Sequence, residues 1–192
     1  MNMRVRTGRI EDANIIAQVI AMAIGDTVTM EHYCGENFVE VLEEIARRDD
    51  TQYSYRNALV AEVDGRSVGA IIAYDGALLY PLRENTLSVV HKYNPEFRIT
   101  ADETQPDEYY LDSIGILPEY RGMGIGRALL LALQAHVAKV NHPRIGLLVD
   151  HDNVRAEQLY RSVGFERVGT KLFIGHPMWH MQFYLPVSAN NG

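Results

Sequence analysis

Between Tyr109 and Arg127 the chain reads YYLDSIGILPEYRGMGIGR, a stretch with the residue types and spacing needed to grip an anion. An apolar run ends at Pro118, then come Glu119, Tyr120 and Arg121. Gly122, Gly124 and Gly126 follow, alternating with Met123, Ile125 and Arg127, and a helical pattern continues through Leu133. The first amides of a helix lack intrahelical partners and carry the positive end of its dipole. Glycines at that point let a diphosphate approach the backbone with no Cβ in the way. Strand, polar turn, spaced glycines and helix are together the parts of a pyrophosphate cradle.

Two other phosphate motifs fail on spacing. In a dinucleotide fingerprint, G-x-G-x-x-G, the sixth position is glycine. Here it is Arg127 counted from Gly122, and Leu129 counted from Gly124. A mononucleotide P-loop needs Gly-Lys-Ser/Thr, which does not occur. The plainest alternative is a glycine-containing turn that feeds a core helix, and any single pair of these glycines would fit that.

Arg121-x-x-Gly124-x-Gly126, after a strand ending at Pro118, resembles the Q/R-x-x-G-x-G/A signature of the GNAT N-acetyltransferase superfamily. A second run, Asn153-x6-Tyr160-x3-Gly164-Phe165, resembles that family's second motif. The resemblance implies acetyl-coenzyme A as cosubstrate, its pyrophosphate held by Arg121, Gly122, Met123, Gly124, Ile125, Gly126 and Arg127. It implies that Ile114, Gly115 and Ile116 offer a backbone edge to the pantetheine arm, much like an added strand. It also implies that Asn153 contacts the cofactor arm and that Tyr160 donates a proton near the sulfur. Asn153 and Tyr160 are seven apart and so share a helix face. Taken singly, Asn153 reads as an N-cap and Tyr160 as a core tyrosine on the Ala156–Tyr160–Val163 stripe.

Acetyl transfer from a thioester to an amine needs a neutral amine, a stabilised oxyanion and a protonated leaving thiolate. An amine with the pKa of lysine is only about 1 part in 2,500 neutral at pH 7, a deficit of about 4.6 kcal/mol. A base, or a water path to one, is therefore valuable. A backbone amide of the central strand can hold the oxyanion. Some GNAT enzymes place a glutamate four residues before the pantetheine-pairing segment, where this chain has Tyr110. Others place one five residues before the asparagine, where it has Leu148. Asp112, on the central strand, is the candidate base, with Asp150 in reserve. His176 and His180 are four apart, but the intervening Pro177 and the strand context oppose a metal pair, and no metal site is expected. The function implied is acetyl transfer to a primary amine, small molecule or peptide, by direct attack in a ternary complex. The alternative is an acyl-coenzyme A sensor on the same fold without turnover.

These residues need a scaffold, and the pattern supplies one. Met3–Arg6 reads as a strand, and apolar positions from Ile15 to Ala23 as a helix that Gly25 closes. DTVTMEHYCGE reads as a polar connection, and Phe38, Val41, Leu42 and Ile45 mark a second helix. Asn57–Val63 and Ser67–Tyr74 are strands around Asp64-Gly65, a hairpin signal. Residues 75–108 read as an insertion, with a helix from Pro81 to about Lys92 and an acidic tail of Asp102, Glu103, Asp107 and Glu108. With Asp26 and Glu31, those carboxylates are expected near the acceptor mouth. The helix from Gly124 to about Val140 is apolar almost all round, which predicts burial. Arg144–Asp150 is a strand, Asp152-Asn153 caps a helix to Val163, and Glu166–Phe173 and Trp179–Leu185 are the last strands. The fold class predicted is α/β (α+β by some schemes). It is a GNAT-like mixed, twisted, mostly antiparallel sheet with a central parallel β-α-β unit and helices on both faces, in one domain over 1–192.

The 192 residues carry a net charge of −7, which argues against a nucleic-acid or anionic-membrane partner and suits a cationic one. The lone Cys34 excludes an internal disulfide. The N-terminal segment lacks the apolar core of a signal peptide, and no apolar run nears the ~20 residues of a membrane helix. A cytoplasmic protein without membrane contact is expected, with a homodimer as one assembly open to it.

Overall fold

The computed structural model describes residues 2–186. Seven strands form one sheet in the order β1-β2-β3-β4-β5-β7-β6. They are β1 (Met3–Thr7), β2 (Ala58–Val63), β3 (Arg66–Asp75), β4 (Tyr109–Ile116), β5 (Arg144–Asp150), β6 (Glu166–Phe173) and β7 (His176–Tyr184). β4 and β5 run parallel, joined through a helix, and every other pair is antiparallel. The helices are α1 (Ala13–Ile24), α2 (Thr27–Cys34), α3 (Phe38–Arg47), α4 (Leu79–Val90), α5 (Ile125–Lys139) and α6 (Val154–Arg161).

Helices cover both faces. On one, Ile125, Leu129, Leu130, Leu133 and Val137 of α5 join Tyr160 of α6 over Ile71, Leu111, Ile145 and Leu147. On the other, Ile16, Val19 and Ile20 of α1 and Val41, Leu42 and Ile45 of α3 cover Val60, Ala70 and Ile72. Strand residues alternate between these two cores, as the two-residue period of a strand demands.

Four expectations need correction. The stretch after Asp26 is a helix, not a polar connection. Asp26 caps it, accepting from the Thr29 amide at 2.8 Å, and Met30 and Cys34, one turn apart, are its only buried residues. Two buried positions in eight residues leave no periodicity to read. Helix α4 starts at Leu79, so Pro81 lies inside its first turn, where an amide hydrogen has no partner to lose. Strand β7 begins at His176 because Ile174 (φ 48°) and Gly175 (φ 78°) make a tight hairpin turn. A β-branched residue seldom adopts positive φ, which hid that turn. Finally, α5 is not buried all round: Leu131 is 42% exposed, because the helix forms an outer layer with one covered face.

Candidate active site

β4 and β5 pair over three residues only: Tyr109 with Ile145, Tyr110 with Gly146, and Leu111 with Leu147. Both strands run on, to Ile116 and Asp150, without further pairing. The edge of β4 from Asp112 to Ile116 that faces β5 is therefore open within the sheet. Ile114 and Ile116 pack their side chains toward the α5 core. At Gly115 a Cβ would meet Met22 and Val19 of α1 at 3.2–3.3 Å, so glycine lets that helix lie close. An extended chain laid against this edge would find strand-like donors and acceptors.

Where the edge ends, Pro118–Tyr120 make one turn of 3-10 helix and the glycine segment begins. Gly122 (φ 78°) and Gly124 (φ 79°) are left-handed, and nothing lies within 4 Å of where a Cβ would stand on either. Gly124 is the N-cap of α5 and no side chain caps the helix, so the first-turn amides face outward. A diphosphate fits such a surface. Gly126 serves another purpose: a Cβ there would meet Leu159 and Ile116 side chains at 3.2–3.3 Å, so it sets the packing of α5 on α6 and β4. Ile125 is buried and can offer only its amide, whereas Met123 and Arg127 are exposed. Arg121 folds back, with Nε donating to the Ile116 carbonyl at 3.2 Å.

The ladder between β3 and β4 breaks at Asp112. Ile72 pairs with Ser113 and Ala73 with Leu111, so Asp112 opposes no residue and is the extra residue of a β-bulge. The bulge turns its half-buried side chain toward Tyr33 of α2, Tyr53, Tyr74 and Tyr110. Among the described residues its one hydrogen bond comes from the Ser113 hydroxyl, 2.8 Å from Oδ1. Burial, with Glu103 nearby adding repulsion, pushes its pKa up to about 7. Asp150, the reserve, sits at a strand end and accepts from the Asp152 amide at 2.9 Å.

Asn153 caps α6, its Oδ1 accepting from the Ala156 amide at 3.1 Å, which leaves Nδ2 as a donor on an exposed side chain. Tyr160 is 6% exposed in the α5–α6 core beside Phe165, and burial raises its hydroxyl to about 12. Tyr160 is therefore a neutral donor at physiological pH. Asp112 and Tyr160 stand on opposite faces of the sheet, at the place where β4 and β5 part.

Two buried polar clusters escape sequence reasoning. In the first, Glu103 accepts from Gln52 Nε2 at 2.7 Å and from the Tyr74 hydroxyl at 3.2 Å, and is ion-paired with Arg83. In the second, Glu108 is 2.5 Å from His180 Nε2 and 2.7 Å from Gln182 Nε2, with Thr104 and Gln105 completing its shell. The acidic tail is thus not a free cluster at an acceptor mouth. Asp102 takes Arg83 and Tyr80, Asp107 pairs with Arg144, and of the four carboxylates Glu103 is the one felt at Asp112. Asp26 is spent on capping α2, while Glu31 is exposed. The acidic run gave a signal for carboxylates, but nothing local pointed to Arg83, Gln52 or His180 as their partners. His176 and His180 take separate partners, Asp150 and Glu108, and no cluster of three metal-ligating side chains occurs among the described residues.

A family model for the acetyltransferase (GNAT) family matches residues 27–165. A crystal structure described as an acetyltransferase is 31% identical with a TM-score of 0.80, covering 95% of this chain and 100% of that one. A mycothiol acetyltransferase of Nocardiopsis dassonvillei is 32% identical over 105 residues, 54% of this chain and 31% of that protein. The N-alpha-acetyltransferase RimI of Mycobacterium tuberculosis is 45% identical over 71 residues, 35% of this chain and 41% of RimI. The chain thus spans only about a third to two fifths of these curated relatives. Among the described residues, no single helix is long and apolar enough to cross a membrane.

Proposed function

The chain belongs to the acetyltransferase (GNAT) family, and from that premise we propose that it acetylates a primary amine, with direct attack at the split between β4 and β5. Acetyl-coenzyme A, the family's cosubstrate, supplies an activated acyl group and a thiolate leaving group. The amides of Gly122–Arg127 would hold its pyrophosphate, the Ile114–Ile116 edge its pantetheine arm, and Asn153 Nδ2 a carbonyl along that arm.

The observation that carries this reading is the bulged carboxylate of Asp112. It is half-buried, has no cation partner among the described residues, and sits where the open edge of β4 begins. An ammonium entering from the tyrosine side meets a base whose raised pKa of about 7 suits proton transfer near neutrality. Asp112 accepts the proton and leaves a neutral amine poised at the strand edge. Tyr160, on the other face, holds a hydroxyl proton for the departing sulfur. Base and acid on opposite sides of the split match the direction in which the acyl group must pass.

The test is release of coenzyme A thiol across a panel of primary amines, small and peptidic, with the acetylated product identified by mass. Turnover on at least one amine, reduced by about 10²-fold or more in Asp112→Asn, is the expected outcome. Tight cofactor binding with no turnover on any amine would make the chain an acyl-coenzyme A sensor instead.

A further inference from the structure

Among the described residues, buried carboxylates are matched with basic side chains. Asp12 takes Arg6 at 2.6 Å, Glu62 takes Arg4 and Arg6, and Glu103 takes Arg83. Glu108 takes His180, and Glu157 takes Arg161 and Arg167. Half-buried Asp112 differs from all five: among the described residues its only partner is the Ser113 hydroxyl. A half-buried carboxylate that no protein cation occupies is open to a cation from outside. Arg83 does not relieve it, since that guanidinium is taken by Asp102 and Glu103.

The groups that feel the charge of Asp112 are aromatic. Tyr33 and Tyr53 are half-buried nearby, and Tyr74 and Tyr110 meet edge to face at 5.7 Å between ring centroids. Behind Tyr33, Phe97 packs edge-on against the same ring at 4.8 Å, with its carbonyl oxygen 3.0 Å from His91 Nε2. Asn94 Nδ2 donates to the His32 carbonyl at 2.5 Å, tying residues 94–97 to α2. Two segments far apart in sequence thus meet at Tyr33, beside the tyrosines that neighbour Asp112. Tyrosine faces and hydroxyls suit an ammonium group on a slim carbon body. They offer none of the backbone pairing that a polypeptide end uses.

We infer that the acceptor is a compact cationic amine rather than a polypeptide terminus: its ammonium pairs with Asp112 among the tyrosines, and the Tyr33–Phe97 contact limits its size. This assignment of substrate class rests on the acetyl-transfer reading, but it is tested by binding rather than by turnover.

The experiment is calorimetry at pH 8 on the protein saturated with coenzyme A. The probes are putrescine, a slim diamine, and an alanine-initiated hexapeptide amide. Putrescine is expected to bind at least about tenfold more tightly than the peptide. Asp112→Asn, which preserves shape, should weaken putrescine binding by about tenfold or more. Phe97→Ala, with Phe97→Leu as the milder variant should Ala unfold, should narrow the gap by admitting the peptide. Peptide binding as tight as putrescine in the parent protein, or putrescine binding unchanged in Asp112→Asn, would overturn the inference. The expected order of binding with neither amine acetylated would support this assignment and sink the transferase reading.

Discussion

Glu103 holds the Arg83 guanidinium that its neighbour Asp112 lacks. Both are carboxylates near the same tyrosines, but Glu103 is fully buried and ion-paired, whereas Asp112 is half-buried with one hydroxyl donor. The difference follows from position. Glu103 lies on the loop that returns toward β4, opposite Arg83 of α4, while Asp112 is pushed out of register by the bulge. One carboxylate fixes the wall and the other stays available to a ligand.

Asp112 therefore sets two pH dependences of known sign. As a base it works ionised, so kcat/KM should rise with pH and level off above about 7, falling about tenfold per unit below that. Asp112→Asn should flatten that limb and lower the rate by roughly 10²–10⁴. Stability runs the other way. A carboxyl whose pKa is raised on folding binds its proton more tightly in the folded state, so stability falls as pH climbs from 3.8 through about 7. Asp112→Asn removes that penalty and should be the more stable protein at pH 8, by at most about 4 kcal/mol. Urea unfolding at pH 4 and pH 8 checks the sign. A variant equally destabilised at both values would mean that the carboxylate is structural.

Tyr160→Phe removes a hydroxyl that makes no hydrogen bond among the described residues and leaves the ring against Phe165. Stability should move by less than about 1 kcal/mol. Departing coenzyme A has a pKa close to that of a free thiol, about 8.5, so protonating it helps without being indispensable. Turnover should fall by roughly 10–10³-fold with cofactor affinity nearly unchanged. Parent-rate turnover in Tyr160→Phe, with Tyr160→Ala unfolding, would reduce Tyr160 to a packing residue.

What the sequence disclosed was whatever local spacing encodes. The strand and helix order, the parallel unit around Tyr109–Asp150 and the turn at Gly122–Gly126 all leave period or glycine signatures, and the sheet carries them. Asp112 was visible as a carboxylate on the central strand, but its bulge was not, because a bulge depends on how β3 pairs with it. Tyr33 and Tyr53 left no trace either. They reach Asp112 only once α2 folds over the sheet, and α2 itself has too few buried residues to announce a helix. Apart from Thr104 and Gln105, the partners of Glu103 and Glu108 lie 20 to 74 residues away, beyond any local pattern.

Gly124 is held at φ 79°, a conformation costing other L-residues about 1–2 kcal/mol. Gly124→Val should therefore destabilise the protein by about that amount while leaving it folded. It also sets a branched side chain in the open space at the N-terminus of α5, where the cradle must admit a diphosphate. Coenzyme A affinity by calorimetry should drop by about tenfold or more. Unchanged affinity in a folded variant would remove this turn from the binding site.

Gly146 has a different reason to be glycine. On β5, between Tyr110 and Gln182, a Cβ there would overlap the Glu108 carboxyl group. Glu108 is nearly inaccessible, with Oε1 receiving His180, Gln182 and Gln105. Burial opposes its ionisation, but the His180 and Gln182 hydrogen bonds outweigh that and hold its pKa below the usual carboxylate range. A lowered folded pKa means that its stabilisation is present above the unfolded value and is lost as pH falls through the folded one. Gly146→Ala should cost about 1–3 kcal/mol by overpacking alone. Glu108→Ala should cost about 1–3 kcal/mol, because it strands the buried Gln182 amide and takes away the partner of His180. Glu108→Gln keeps the volume but loses the charge, so it should flatten the acid limb of the stability curve. Measured in urea from pH 3 to 8, an acid limb as steep in Glu108→Gln as in the parent would show that Glu108 is not the group that titrates.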